Sequence, residues 1–159
     1  MILPKTIKDT REGLLKKEFS AVELVDAYLE RINNYDKDLN SFITVTSEKA
    51  YEDAKLISSL SSNLPLLGVV TSLKDLFSTK GIRTTAGSKV LEGYIPDYSA
   101  TVVKRLEEAG AIIIGKTNCD AWAHGASGEN SDFGETKNPW NNQFVPGGSS
   151  SGSAVAVAS

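Results

Sequence analysis

The sequence predicts an α/β fold built on a mixed or parallel sheet, and three observations carry that reading. Two short apolar runs, residues 69–73 and 111–115, have the length and Val/Ile content of buried strands. Segments with apolar residues at helical spacing precede and separate them, so helices and strands alternate along the chain. At 159 residues, 40% hydrophobic and 23% charged, the chain can bury one core and reads as one domain.

Each element has a local cause. Thr6 can cap a first helix over residues 6–17, with Asp9 in its first turn and Ile7 and Leu14 on one face. Ser20-Ala21-Val22-Glu23 is a capping box that opens a second helix. Its apolar face carries Val25, Tyr28, Leu29 and Ile32, and Asn33-Asn34 ends it. Residues 42–45 are a short strand, and Ser47 caps a third helix to residue 59 with Ala50, Ala54 and Ile57 inward. A polar, Ser-rich connection leads through Pro65 to the strand at 69–73, which is expected to be buried on both faces. Residues 75–98 read as loop with short strands. A helix over 99–109 turns Val102, Val103 and Leu106 inward and stops at Gly110. The strand at 111–115 follows, then a short helix from Cys119 to His124. Residues 125–148 form a long Gly/Asn/Ser/Pro loop, of the kind that is usually functional or disordered; Phe133, Trp140 and Phe144 argue against disorder. Residues 152–159 are small and apolar, with no cap or polar tail, which reads as a cut inside a helix whose core continues.

Composition narrows the function classes. A net charge of -3 gives no basic footprint for nucleic acid, and Lys16-Lys17 reads as a solvated helix face. One cysteine, Cys119, permits no internal disulfide, and one cysteine with one histidine builds no Cys/His zinc site. There is no signal-peptide pattern and no apolar run near the roughly 20 residues that span a bilayer, so a soluble, cytoplasmic protein is expected.

Two stretches can carry chemistry. Lys74 ends a putative central strand, where sites gather in open α/β sheets. A lysine held there in a dry pocket can act as a neutral base, whereas one that reaches water is simply solvated. The second stretch is Pro146-Gly147-Gly148-Ser149-Ser150-Ser151-Gly152-Ser153, ahead of an Ala/Val helix. Its glycines allow close backbone approach, its amides can hold an anion or oxyanion, and its hydroxyls can relay a proton. The alternative is a flexible linker. A phosphate loop is excluded, because no Gly-Lys-Ser/Thr follows.

These stretches also carry a resemblance. Gly81-Ile82-Arg83-Thr84-Thr85 after Lys74-Asp75, then Ala109-Gly110-Ala111-Ile112-Ile113-Ile114-Gly115-Lys116-Thr117-Asn118, is similar to the amidase-signature family. So are Gly128-Glu129-Asn130-Ser131-Asp132-Phe133-Gly134, Asn138-Pro139-Trp140-Asn141 and Pro146-Gly147-Gly148-Ser149-Ser150, all in family order across residues 65–159. Within the family, the stretch from Gly128 and the pattern of residues 81–119 most resemble the tRNA-dependent amidotransferase subunits.

The resemblance implies an α/β/α sandwich around a central mixed sheet. Residues 1–62 would be a helical lead-in and 63–159 the start of the signature core, together the N-terminal part of a single amidase domain. It implies a Ser-cisSer-Lys triad in which Lys74 is the base and Ser149, after a cis peptide bond, bridges it to a nucleophilic serine beyond residue 159. His124, Gly125, Ala126 and Ser127 would line the acyl pocket, and His124 either touches substrate or packs as a satisfied histidine. The implied reaction is acyl transfer from glutamine with release of ammonia. B and C partner subunits would use it, with ATP and Mg2+ held by the partner rather than this chain, to convert Glu-tRNA(Gln) to Gln-tRNA(Gln). A stand-alone amidase acting on another amide is the alternative, and the 159 residues alone are expected to be inactive and prone to aggregate. Leu67, Ser72, His124 and Ser151 depart from the family's commoner residues, and Ser151 is expected to crowd the turn after Ser149. Asp120 and Glu129 read as structural hydrogen-bonding carboxylates, and Cys119 as a small core residue.

Overall fold

The capping box at Ser20 forms as written. Glu23 N donates to Ser20 Oγ at 3.2 Å and Ser20 N donates to the Glu23 carboxylate at 2.8 Å, which holds that carboxyl below its ordinary range. In the computed structural model, which describes residues 3–159, this box starts helix α2, Ala21–Leu39. Asn33-Asn34 does not end the helix. Asparagine costs only a few tenths of a kcal/mol in a helix interior, and the true stop is Asn40, left-handed at φ 52. Asp36, in the last turn, accepts Ser41 N at 2.8 Å and Phe42 N at 3.2 Å, so the helix end aims the chain into strand β1, Phe42–Val45.

Before it, α1 spans Ile7–Leu15, with Thr6 Oγ1 accepting Asp9 N. Thr10 and Gly13 form its buried face, while Ile7, expected inward, is 52% exposed and lines an open groove. Helix α3, Ser47–Leu56, buries Ala50 and Ala54 as the spacing predicts, and Ile57 continues that face from the following turn. Strand β2 is Val70–Lys74, α4 is Thr101–Glu108, β3 is Ile112–Thr117 and α5 is Ser151–Ala158. Gly110 stops α4 at φ 92, in the left-handed position expected of it.

The sheet order is β1-β3-β2, with β1 antiparallel and β2 parallel to β3. Central β3 is buried along its whole length, and its alternation fixes the layers. Ile112 and Ile114 pack with Ala21, Val25, Ala50, Ala54, Ile57 and Leu67, whereas Ile113 packs with Leu73 and Val103 on the opposite face. Helices therefore cover both faces, as the α/β/α expectation requires. Only Val103 and Leu106 of α4 join that second cluster, and Val102, expected inward, is exposed.

Three further expectations change. β2 is half-buried rather than buried on both faces, because it is an edge strand whose Val70, Thr71 and Ser72 line a groove of about 900 Å³. Residues 75–98 form no strands; they hold an isolated Thr79–Ile82 bridge and a single 3-10 turn, Lys89–Leu91. Residues 119–124 give one 3-10 turn instead of a helix, since Trp122 and Ala123 take φ 57 and 60 and Trp122 N is drawn to Ala86 O at 2.8 Å.

Candidate active site

The parallel pairing of β2 and β3 sets Lys74 opposite Thr117 at the carboxyl end of both strands. Lys74 is half-buried, and its Nζ donates to Ser149 Oγ at 2.7 Å, across 75 residues of sequence. Ser149 lies in the turn that feeds α5. The Gly148–Ser149 peptide bond is cis, and Gly147 takes φ 85. Thus the two residues singled out as catalytic meet directly.

Ser149 is fixed from both sides. Its carbonyl accepts Asp120 N at 3.1 Å. Asp120 is fully buried, and its two carboxylate oxygens accept Gly128 N at 3.0 and 3.1 Å, closing the 121–128 loop back on the turn. A side chain at Gly148 would strike the Asp120 carboxylate and crowd the backbone nitrogens of Ser127 and Gly128, so those groups stand against the turn before Ser149. The start of α5 is tied to β3 as well. Thr117 Oγ1 meets Ser153 Oγ at 2.7 Å, and Gly152 N donates to Asn118 O at 3.0 Å. Asn118 in turn donates through Nδ2 to Asn40 O and Gly134 O, joining the α2–β1 corner to the long loop.

Ser151 does not crowd the turn. It is fully buried and shares a hydrogen bond with Thr136 Oγ1 at 3.1 Å. The compensation is Gly128, at φ 85, where a Cβ would collide with Ser151 Cβ.

The residues expected to line an acyl pocket divide. Ser127 is half-buried beside Gly148, and Gly125 lies so close to Asp120 that it admits no side chain. Ala126 and His124 are exposed; the His124 carbonyl accepts Asn130 Nδ2 at 2.6 Å. His124 is therefore not a packed core histidine. Asp120 bears its structural role, while Glu129 faces solvent, and Asn130 does the bonding that loop needs by accepting Ala121 N at 2.7 Å. Cys119 is fully buried, and burial pushes its thiol up to about 11.

One buried group is not singled out by the sequence pattern. Lys116, on β3, is fully buried and faces Asp75 Oδ1 at 3.1 Å. Burial pulls its ammonium below the ordinary lysine range, against the pull of Asp75. A signal for it exists in the sequence: a lysine one residue after an apolar strand, with an aspartate directly following Lys74. Among the described residues, no group of three or more His, Cys, Asp or Glu side chains could hold a metal ion, and no helix is long and apolar enough to cross a membrane.

The Amidase family model matches residues 23–159. The amidase-type A chain of the glutamyl-tRNA(Gln) amidotransferase of Roseiflexus sp. is 49% identical over 156 residues, 96% of this chain and 32% of that protein. The corresponding A chain of Geobacter sulfurreducens is 50% identical over the same share. The chain thus spans about a third of the length of the curated relatives it matches. Among solved structures, the peptide amidase of Stenotrophomonas maltophilia superposes with a TM-score of 0.88 at 36% identity, over 96% of this chain and 33% of that one. The glutamyl-tRNA(Gln) amidotransferase A chain of Thermotoga maritima superposes with a TM-score of 0.78 at 36% identity, over 99% and 33%.

Proposed function

The chain belongs to the amidase family, and from that premise we propose that it is the N-terminal part of the amidase subunit of a glutamyl-tRNA(Gln) amidotransferase. The observation that carries the reading is the 2.7 Å contact between Lys74 Nζ and Ser149 Oγ. Two groups that exchange protons at that distance form two-thirds of an acyl-transfer relay. In this reading a serine outside the 159 residues attacks the side-chain amide carbon of glutamine, and its proton passes through Ser149 to Lys74. The C–N bond breaks, the proton returns along the same line to the leaving nitrogen, and ammonia departs. Water then cleaves the ester with Lys74 again taking the proton through Ser149. Ser127 and Gly128, standing against Gly148, form part of the wall around the acyl group. Ammonia serves B and C partner subunits, which hold ATP and Mg2+ and amidate Glu-tRNA(Gln) in the cytoplasm. The 159 residues alone are inactive.

A second reading, a stand-alone amidase, is favoured by one observation: the peptide amidase superposes better, at 0.88, than the Thermotoga protein, at 0.78. The sequence identity to the amidotransferase subunits, 49–50%, exceeds the 36% to the peptide amidase and decides for the first. The test is ammonia release from glutamine by the full-length gene product co-purified with its partners. Stimulation by ATP and glutamyl-tRNA is the expected result. A product that hydrolyses simple aliphatic amides alone and ignores glutamine overturns the reading.

A further inference from the structure

We propose that Lys116 and Asp75 are positioning residues for Lys74, their buried pair holding the end of β2 and the loop after it so that Lys74 Nζ meets Ser149 Oγ. The proposal rests on the amidase reading above. Asp75 directly follows Lys74, so strand alternation sends the two side chains to opposite sides. One reaches Ser149 and the other is locked in the interior, so any twist of the strand end that frees Asp75 also swings Lys74.

The lock is complete on the lysine side. Lys116 Nζ has three N–H donors, and it meets Asp75 Oδ1 at 3.1 Å, Phe77 O at 2.9 Å and Thr84 Oγ1 at 2.7 Å. Asp75 Oδ2 takes Thr85 N at 2.8 Å and Thr85 Oγ1 at 2.5 Å. Its backbone is held too, with Asp75 N donating to Thr117 O and Asp75 O accepting Ala86 N. Lys116 therefore ties β3 to three points of the chain that leaves β2.

That chain goes on to touch the other partner of the relay. Ala86 O accepts Trp122 N at 2.8 Å and Gly87 O accepts Asp132 N at 2.9 Å, which anchors the segment containing Gly128. Gly128 N is bound by Asp120, whose own N–H holds Ser149 O. A single buried pair thus connects to both ends of the Lys74–Ser149 contact. Apolar residues would fill the same space at no cost to stability, since a buried ion pair is often neutral against a well-packed apolar replacement. What apolar residues cannot do is bind Phe77 O, Thr84 and Thr85 in fixed directions.

The experiment compares, in the full-length enzyme with its partners, Lys116→Met, the double variant Asp75→Leu/Lys116→Met, and Lys74→Ala as control. The unfolding midpoint, kcat and KM for glutamine are read for each. Lys116→Met is expected to lower the midpoint and the double variant to recover it. The double variant is expected to keep KM within about twofold while kcat stays down about 10–100-fold, the scale of a misplaced catalytic group. A double variant that regains both midpoint and kcat overturns the proposal, because the pair is then packing alone. Should the double variant fail to fold, Thr84→Val and Thr85→Val each remove one bond to the pair and leave its charges matched. A drop in kcat at unchanged KM supports the proposal, and unchanged kcat in both overturns it. An NOE between Lys74 Hε and Ser149 Hβ, present in the wild type and lost in these variants, reads the same question without catalysis. An active Lys74→Ala control would sink the amidase reading while that NOE still judges the positioning.

Discussion

The ends of β2 and β3 carry two lysines on neighbouring strands of one sheet, and they differ in almost every respect. Lys74 is half-buried and spends its ammonium on a serine hydroxyl in a turn 75 residues away. Lys116 is fully buried, faces a carboxylate and fills its remaining donors with loop oxygens. The difference teaches that a charged group at a strand end is held either for what it can exchange or for what it can tie together. Its partners tell which: a neutral, replaceable hydroxyl for the first, and a closed set of fixed acceptors for the second.

The largest break in this comparison would come from Lys116→Met. Removing one partner leaves the Asp75 carboxylate buried and uncompensated, so a loss of about 3–5 kcal/mol is expected in urea unfolding. A loss below about 1 kcal/mol would place Lys116 among ordinary surface lysines.

How much of this was legible in the sequence follows the same division. Lys74 and Ser149 could be named because each sits where chemistry gathers, one at a strand end and one in a Gly/Ser turn before a helix, and because both fall in ordered family motifs. Lys116 sits in the same motifs but just past an apolar run, and its role depends on a pairing with Asp75 that only the β2–β3 register creates. The end of α2 is a case of the same kind: Asn33-Asn34 looks like a stop by propensity, but Asp36 binding Ser41 and Phe42 outweighs it. Ser151 looked like a steric problem because its remedy, Gly128, lies 23 positions earlier in the chain. Local signals such as the capping box, the Gly110 stop and the Ala50–Ala54 face needed no tertiary partner to be read correctly.

A smaller effect is expected on the Ser149 side. Gly128→Ala places a methyl against Ser151 Cβ at a backbone φ of 85, so about 1–3 kcal/mol of destabilisation is expected in thermal or urea unfolding. Ser151→Gly in the same background should restore part of it by removing the opposing Cβ; no restoration would show that the strain is in the backbone alone.

Cys119 tests the space between the two lysines. Its folded thiol titrates near 11 against an ordinary value of 9.0, so the folded state keeps a proton that the unfolded state loses between those values. Stability should therefore hold below pH 9 and fall as pH rises toward 11, by up to about 3 kcal/mol from this group. Cys119→Ala should flatten that part of the stability curve. An equal slope in both proteins would contradict the shift.

The smallest expected effect lies far from both lysines. Ser20→Ala removes the cap that Glu23 N uses and should cost about 1 kcal/mol, with no change in any activity measured on the full-length enzyme.

The most direct measurement of the role given to Lys74 is ammonia release from glutamine by the full-length, partnered enzyme carrying Lys74→Ala, read beside its unfolding midpoint. A fall in kcat of about 1,000-fold or more is predicted, with stability changed by no more than about 1 kcal/mol. Activity within about tenfold of the wild type would contradict it, because a relay that runs through Lys74 and Ser149 cannot survive the loss of its base.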